Sequence, residues 1–265
     1  MFADIIQEQT IYQAIAITDG NGCVERTKHG AFIVYSRISL DSLFKIVSEG
    51  RHTTVRSLED LKTIFLLGPT PKFYGDNCAS TSWRREFVKY LEECENINDD
   101  FIIILPEPKS CNWQDVDFPG LIGVQHIYAQ IHWEDYFINL AARTGVLVLH
   151  AHFRWGGNAG PTARLEAGKL LALAREGLIK SAVINCPQDS ETAEYIKAHL
   201  LDMYDLYSRG RFGLTTCSPL NLNDNNKPID NEGNIMEAGI YHNGSGEQGL
   251  MNVFFKEIVT IALNI

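Results

Sequence analysis

Four short apolar runs in the middle of the chain, separated by segments long enough for helices, place the strongest constraint on the fold. The runs are TIFLLG (residues 63–68), FIIIL (101–105), GVLVLH (145–150) and SAVINC (181–186). Consecutive apolar residues without polar alternation are typical of strands that are covered on both faces. The alternation of strand and helix therefore predicts an α/β fold with a doubly wound, mostly parallel sheet and flanking helices.

The segments that separate these runs have the apolar spacing of helices. They span residues 83–95, 131–143 and 161–176. Ser82 is the predicted N-cap of the first helix, and Glu86 lies in its opening turn. Gly177 follows the last of them, at the position where a glycine commonly ends a helix. Each segment is long enough to serve as a crossover helix between parallel strands.

The two flanks differ from this central part. Residues 1–60 contain two apolar runs around an Asp-Gly turn (19–22) and a short helix near residues 40–48, which indicates a small β-rich appendage. Residues 209–249 are rich in Asn, Asp, Gly and Ser, which indicates loops, and residues 248–263 return to helical spacing. We expect an N-terminal appendage (1–60), an α/β core (61–205) and a loop-rich C-terminal extension ending in a helix (206–265).

Composition and charge exclude several classes of partner. The formal charge of −10, from 33 acidic and 23 basic side chains, argues against a nucleic acid. Apolar runs fall short of the roughly 18 residues that a membrane helix needs, and the first nine residues lack the basic start of a secretory signal. Six cysteines without a CxxC pair indicate reduced thiols, so we expect a cytoplasmic protein.

The last crossover helix carries the most informative motif. It follows the segment GGNAG (156–160) and opens with PTARLEAG (161–168), so its N-terminal N–H groups suit an anion. At helical spacing, Glu166 lies on the same side as Leu170 and Leu173, beside the apolar stripe. Burying a carboxylate is unfavourable unless it has a partner or a role. Glu166 is therefore a candidate functional residue, and the alternative is a glutamate that only favours the helix dipole.

Three further motifs precede this helix in a fixed order. They are Gly68-Pro69 after the first run, WRRE (83–86) and QIHWE (130–134). Together with TARLEAG (162–168), this set resembles the nucleoside 2-deoxyribosyltransferase-like proteins, a branch of doubly wound enzymes that act on N-glycosidic bonds. The resemblance covers about residues 62–187. It implies cleavage or transfer at the N-glycosidic bond of a nucleoside or nucleotide, without a cofactor, by a homo-oligomer.

The resemblance also implies a role for each matching residue. Glu166 would attack the anomeric carbon and form a covalent glycosyl-enzyme. The substrate pocket would be formed by Gly68, Pro69, Trp83, Trp133, Glu134, Asn158, Gly160 and Thr162. The leaving base needs a proton. Relatives carry an acidic residue near the third strand that is missing here, so His150 or His152 could supply this proton instead.

Three alternatives stay open at this point. The first alternative is a metal site that could hold zinc, because the histidines of the chain are concentrated at His126, His132, His150 and His152. The same glutamate could hydrolyse a nucleotide or NAD rather than transfer a sugar. The pocket could also be a non-catalytic nucleotide sensor, because the acidic residue is missing and the flanks are long.

Overall fold

The computed structural model describes residues 23–51, 54–68, 82–110, 124–151, 161–187, 191–217 and 247–265. The strands are β1 Val24–Arg26, β2 Phe32–Tyr35, β3 Lys62–Leu67, β4 Phe101–Leu105, β5 Val146–His150, β6 Ala182–Pro187 and β7 Phe212–Cys217. The α-helices are α1 Leu40–Gly50, α2 Trp83–Leu91, α3 Val124–Thr144, α4 Pro161–Arg175, α5 Glu191–Ala198, α6 Tyr204–Ser208 and α7 Glu247–Leu263. Single 3₁₀ turns lie at Leu58–Asp60 and Leu200–Met203.

The seven strands form one sheet in the order β1-β2-β4-β3-β5-β6-β7. Every neighbouring pair is parallel except β1 with β2. The chain proceeds from β3 to β4 on one side and then crosses to β5 on the other, so the strand order reverses between β3 and β5. The predicted α/β class and mostly parallel sheet are confirmed. In such sheets, ligands bind in the crevice outside the carboxyl ends of the strands at this reversal.

Both faces of the sheet are buried, as the unbroken apolar runs predict. Because successive side chains of a strand point to opposite faces, Phe65 and Leu67 of β3 join one core, and Ile64 and Leu66 join the other. Helices α1, α3, α4 and α5 cover the first face, which we call the α4 face. Helices α2 and α7 cover the second, which we call the α7 face. None of the described helices is long and apolar enough to span a bilayer.

The helix ends agree with the sequence signals in part. Ser82 precedes α2 as predicted, but its hydroxyl makes no cap hydrogen bond and donates instead to the carboxylate of Glu107. Gly177 lies beyond the end of α4 with a φ of 67°, in the left-handed region that favours glycine. Helix α2 ends at Leu91, four residues before the predicted end at 95, and α3 begins at Val124 rather than at 131.

The described part of residues 1–60 is not confirmed as a separate appendage. Strand β2 pairs in parallel with β4, with Phe32 opposite Ile102, and therefore extends the main sheet. The predicted helix near residues 40–48 is confirmed as α1. The predicted Asp-Gly turn at residues 19–22 and the apolar run before it lie outside the described residues.

The C-terminal region is also more regular than predicted. The loop prediction for residues 209–249 is wrong at β7, which pairs in parallel with β6 and extends the sheet. Its sequence FGLTTC contains a glycine and two threonines and is not an apolar run. This agrees with its place at the sheet edge, where Leu214 is exposed and Glu257 of α7 packs over Gly213. The predicted C-terminal helix is confirmed as α7, and residues 218–246 lie outside the described part.

Candidate active site

A buried carboxylate lies at the reversal of the strand order. Glu166, in the second turn of α4, is only 4% exposed, and the backbone N–H of Gly68 donates to its Oε2 at 3.0 Å. Gly68 follows β3 and has a φ of 136°, and a Cβ atom there would lie 2.6 Å from the carbonyl oxygen of His150. Only glycine fits this position. The glycine allows the end of β3 to lie close to β5 and to Glu166.

A second carboxyl group, Glu134 of α3, belongs to the same site. It is 5% exposed, and the side-chain amide of Gln130 donates to its Oε1 at 2.5 Å. Burial raises the pKa of Glu134 to about 8, and the charge of Glu166 contributes to this increase. An ion pair between Asp135 of α3 and Lys169 of α4 holds the two helices together beside these acids.

The two carboxyl groups have different electrostatic environments. Burial raises the pKa of Glu166, but the guanidinium of Arg84, the N–H of Gly68 and the ammonium of Lys169 all favour its ionised form. Glu134 accepts a hydrogen bond from the neutral amide of Gln130 and lies next to the charge of Glu166. Of the two acids, Glu134 therefore holds a proton more readily, and the surroundings of Glu166 give more support to its ionised form.

Arg84 fixes the strand end from which Gly68 donates. Its side chain is fully buried, and it donates to the carbonyl oxygens of Leu66 at 2.8 Å and of Gly68 at 2.7 Å. Its charge is balanced by Glu107, which follows β4 and whose Oε2 lies 3.3 Å from Nη1 of Arg84. The Arg84 guanidinium thus combines two tasks, because it orients the backbone around Gly68 and supplies positive charge near Glu166.

Glu107 is the centre of a second set of contacts at the end of β4. Its carboxylate is buried and accepts hydrogen bonds from the hydroxyl of Ser82 at 2.9 and 3.0 Å and from Arg85 at 2.8 Å. A buried carboxylate with two arginines and a hydroxyl group is well satisfied. Glu107 therefore anchors the start of α2, and with it Arg84, to the sheet.

His150, one of the two predicted proton donors, lies on the α7 face. Its fully buried ring packs against Phe254 and Trp83, with ring centroids 5.7 and 5.2 Å apart. The Asn185 amide nitrogen donates to its Nδ1 at 3.0 Å, and the hydroxyl of Thr215 donates to the Asn185 oxygen at 2.8 Å. Its ring thus lies on the sheet face opposite α3 and α4, which carry the two glutamates. His152 lies outside the described residues.

The two tryptophans predicted to contact substrate are buried in the two cores. Trp83 is packed between His150 and Phe254 on the α7 face. Trp133 lies on the α4 face, where its indole N–H donates to the carbonyl oxygen of Ile38 at 3.0 Å and its ring contacts Phe137. Both indole rings are therefore buried against other side chains of the two cores.

The remaining predicted residues are only partly visible. Pro69, Asn158 and Gly160 lie outside the described residues, and Thr162 belongs to the first turn of α4 without a described side chain. Among the residues that the structure describes, no group of three or more His, Cys, Asp and Glu side chains could hold a metal ion.

Several residues of the site escape sequence reasoning. Arg84 lies inside the WRRE motif, but nothing in the motif indicates that it reaches the end of β3. Gln130 lies inside the QIHWE motif without an assigned role, and Glu107 and Arg37 come from two other parts of the chain. The one available signal is that Arg37 and Glu107 each follow the end of a strand by two residues, at the edge where parallel strands place their ligand sites.

Comparisons with known proteins assign no family. A scan against models of protein families gives no match to this chain. A search of curated proteins gives no match either. The geometry of the site therefore carries the functional conclusion.

Proposed function

We propose that this protein cleaves or transfers the N-glycosidic bond of a nucleoside or nucleotide, with Glu166 as nucleophile and Glu134 as proton donor. The observation that carries the proposal is the buried pair itself. Arg84 and the N–H of Gly68 favour the ionised form of Glu166, whereas burial and the charge of Glu166 favour the protonated form of Glu134. Such a division of roles between two acids suits glycoside chemistry.

The first step would use both acids. Oε2 of Glu166 accepts the hydrogen bond from Gly68, whereas its Oε1 accepts none from the described residues, so Oε1 is the attacking atom. A C–O bond forms between Oε1 and the anomeric carbon while the C–N bond to the base breaks. The electron pair of that bond stays on the base nitrogen, which takes the proton from Glu134.

The second step would restore the enzyme. Water, or the nitrogen of a second base, attacks the anomeric carbon and gives its proton to the Glu134 carboxylate. The ester bond breaks, and its electron pair returns to Glu166. Water as acceptor gives hydrolysis, and a second base gives transfer, so the same two residues serve both outcomes.

A substrate panel tests the proposal. The purified protein is incubated with nucleosides, nucleotides and NAD, and free bases are measured by chromatography. We expect base release by the wild type and none by Glu166→Ala, with ligand-induced thermal stabilisation retained. Glu176→Ala, an exposed glutamate just beyond α4, is the matched control and should retain full activity.

The outcomes of this panel separate the alternatives. Labelled free base that appears in new nucleoside identifies transfer, and release that is independent of an acceptor identifies hydrolysis. Trapping of a glycosyl adduct on Glu166, located by mass spectrometry of peptides, supports the covalent route. A wild-type protein that binds nucleotides without releasing a base is a sensor, and the catalytic proposal is then wrong.

The proposal includes self-association, which the resemblance implies. Light scattering on the purified protein gives the molar mass in solution, to be compared with 29.8 kDa for one chain. A mass of one chain at working concentrations contradicts this part of the proposal and leaves the chemistry of the two glutamates untouched.

A further inference from the structure

We infer that Gln130 is a positioning residue that directs the transferable proton of Glu134 to Oε2, and that Arg37 holds Gln130 in the orientation this requires. The use of that proton in catalysis rests on the proposed function. The hydrogen-bond arrangement itself does not, so the two can be tested separately.

The orientation of the Gln130 amide is fixed by Arg37. The Arg37 Nε–H donates to Gln130 Oε1 at 2.8 Å. A guanidinium group has only donors, so the Gln130 atom facing it must be the oxygen. The amide NH₂ of Gln130 therefore points the other way, where it lies 3.3 Å from the Ser36 hydroxyl oxygen and 2.5 Å from Glu134 Oε1.

This orientation decides which oxygen of Glu134 carries the proton. An amide NH₂ group can only donate, so Glu134 Oε1 must accept. In the protonated acid, the hydrogen is then on Oε2, away from Gln130. All four residues of this relay, Ser36, Arg37, Gln130 and Glu134, are buried, so bulk water is not available to replace a lost donor.

The backbone at Arg37 supports a specific role for this residue. Its φ of 73° lies in the left-handed region, which residues other than glycine seldom adopt. Such a conformation persists only where surrounding contacts hold it. Here Arg37 directly follows Ser36, whose N–H donates to the Glu107 carbonyl oxygen at 3.0 Å, at the end of β2. The loop after β2 thereby contacts Gln130, and through Gln130 it is connected to Glu134.

Gln130→Met tests the inference, because methionine has similar length and volume but no donor. The Gln130 donor favours the ionised form of Glu134, so its loss should move the alkaline limb of the kcat profile to higher pH. The other charged groups that act on Glu134 are Glu166 and Lys169 of α4 and Arg84 of α2, and the variant leaves all three in place. We expect kcat to fall by about tenfold to a hundredfold, with KM nearly unchanged.

Two further variants complete the test. Arg37→Met frees the Gln130 amide to turn over, so it should move the pH limb in the same direction. The double variant should be no worse than the more affected single one, because both residues act through one amide. Asn139→Met, which removes an exposed amide from the same helix, is the control and should change neither kcat nor the pH limb.

A readout without turnover separates this inference from the proposed function. In the wild type, the NMR resonances of the Gln130 side-chain NH₂ should titrate with Glu134, and this titration should vanish in Glu134→Gln. Carboxyl-labelled glutamate reports the Glu134 titration in every variant. A Gln130 resonance that ignores Glu134, or a folded Gln130→Met with an unmoved Glu134 titration, overturns the inference. Absence of base release with these NMR results intact overturns only the proposed function.

Discussion

Two buried polar groups lie at the carboxyl edge of the sheet, one on each face, and they are built on different principles. On the α7 face, His150, Asn185 and Thr215 form a neutral chain across three neighbouring strands. On the α4 face, Glu134 and Glu166 are two buried acids, and burial together with the charge of Glu166 raises the pKa of Glu134. In the neutral chain, the Asn185 amide pairs with both of its neighbours, whereas the acid pair is unfavourable to bury.

This difference is the basis of a proposed division between chemistry and stability. Hydrogen bonds between neutral groups stabilise a core when all partners are present. Two buried acids with raised pKa values weaken the folded state, and such shifted values are typical of functional sites. Our proposal places the chemistry at the acid pair and strand alignment at the neutral chain, and the predictions below test this division.

Among the variants that test this division, the largest effect should come from Glu134→Gln. Loss of the proton donor should lower the rate of base release by a factor of about 10² to 10⁴. In the wild type, the rate should fall as pH rises above about 8, because Glu134 must be protonated to donate. This alkaline limb should disappear in the variant. A variant that keeps the limb would show that another group, such as His150, supplies the proton.

The acid pair should also make the protein less stable as the solution becomes alkaline. The pKa of each acid is higher in the folded state than in the unfolded chain, so folding binds protons. The stabilisation that proton binding gives to the folded state is complete below the pKa of the unfolded chain and is lost as pH rises toward about 8. For one group, the free energy of unfolding falls by at most about 1.4 kcal/mol per pH unit. Denaturant unfolding between pH 5 and 8.5 measures this slope, and Glu134→Gln should reduce it.

Gly68 joins the two groups, and its replacement should damage both. Alanine at this position would adopt an unfavourable φ and place its Cβ against the carbonyl oxygen of His150. We expect Gly68→Ala to lower the free energy of unfolding by about 2 kcal/mol or more and to displace the N–H that binds Glu166. Gly177→Ala, which meets no atoms within 4 Å, is the control for conformational strain alone.

The sequence predicts the sheet well, since continuous apolar runs report burial directly. It also predicts that Glu166 is buried, because helical spacing places this residue beside Leu170 on the α4 face. Glu134 is predicted only as part of a pocket wall. Its proposed role as an acid depends on the distance between α3 and α4, and a local pattern carries no information about such a contact.

The same reasoning explains the other differences. Arg84 and Glu107 are ordinary polar residues in the sequence and become a buried ion pair only when β3, β4 and α2 pack together. Strand β7 escapes detection because its sequence is short and half polar, and its pairing with β6 overrides this weak local preference. Residues that depend on long-range contacts are therefore the ones that sequence reasoning misses.

On the neutral side, Asn185→Leu should affect stability and leave the chemistry intact. The change removes the partner of His150 Nδ1 and of the Thr215 hydroxyl in a buried site. We expect a loss of about 2 kcal/mol in the free energy of unfolding, with an unchanged pH profile for base release. A shifted alkaline limb in a folded variant would connect the neutral chain to catalysis and contradict the division between the two faces.

The smallest expected effect is that of Thr215→Val. Valine keeps the shape of threonine and loses the hydroxyl that donates to Asn185 at 2.8 Å, so about 1 kcal/mol of stability should be lost. Thr260→Val, on the exposed side of α7, should cost less and serves as the control. Thr215 lies on β7, two strands from β5, and therefore at the far end of the neutral chain. A change in kcat of Thr215→Val would mean that the neutral chain influences the acid pair. A loss of stability alone supports the role of the neutral chain in strand alignment.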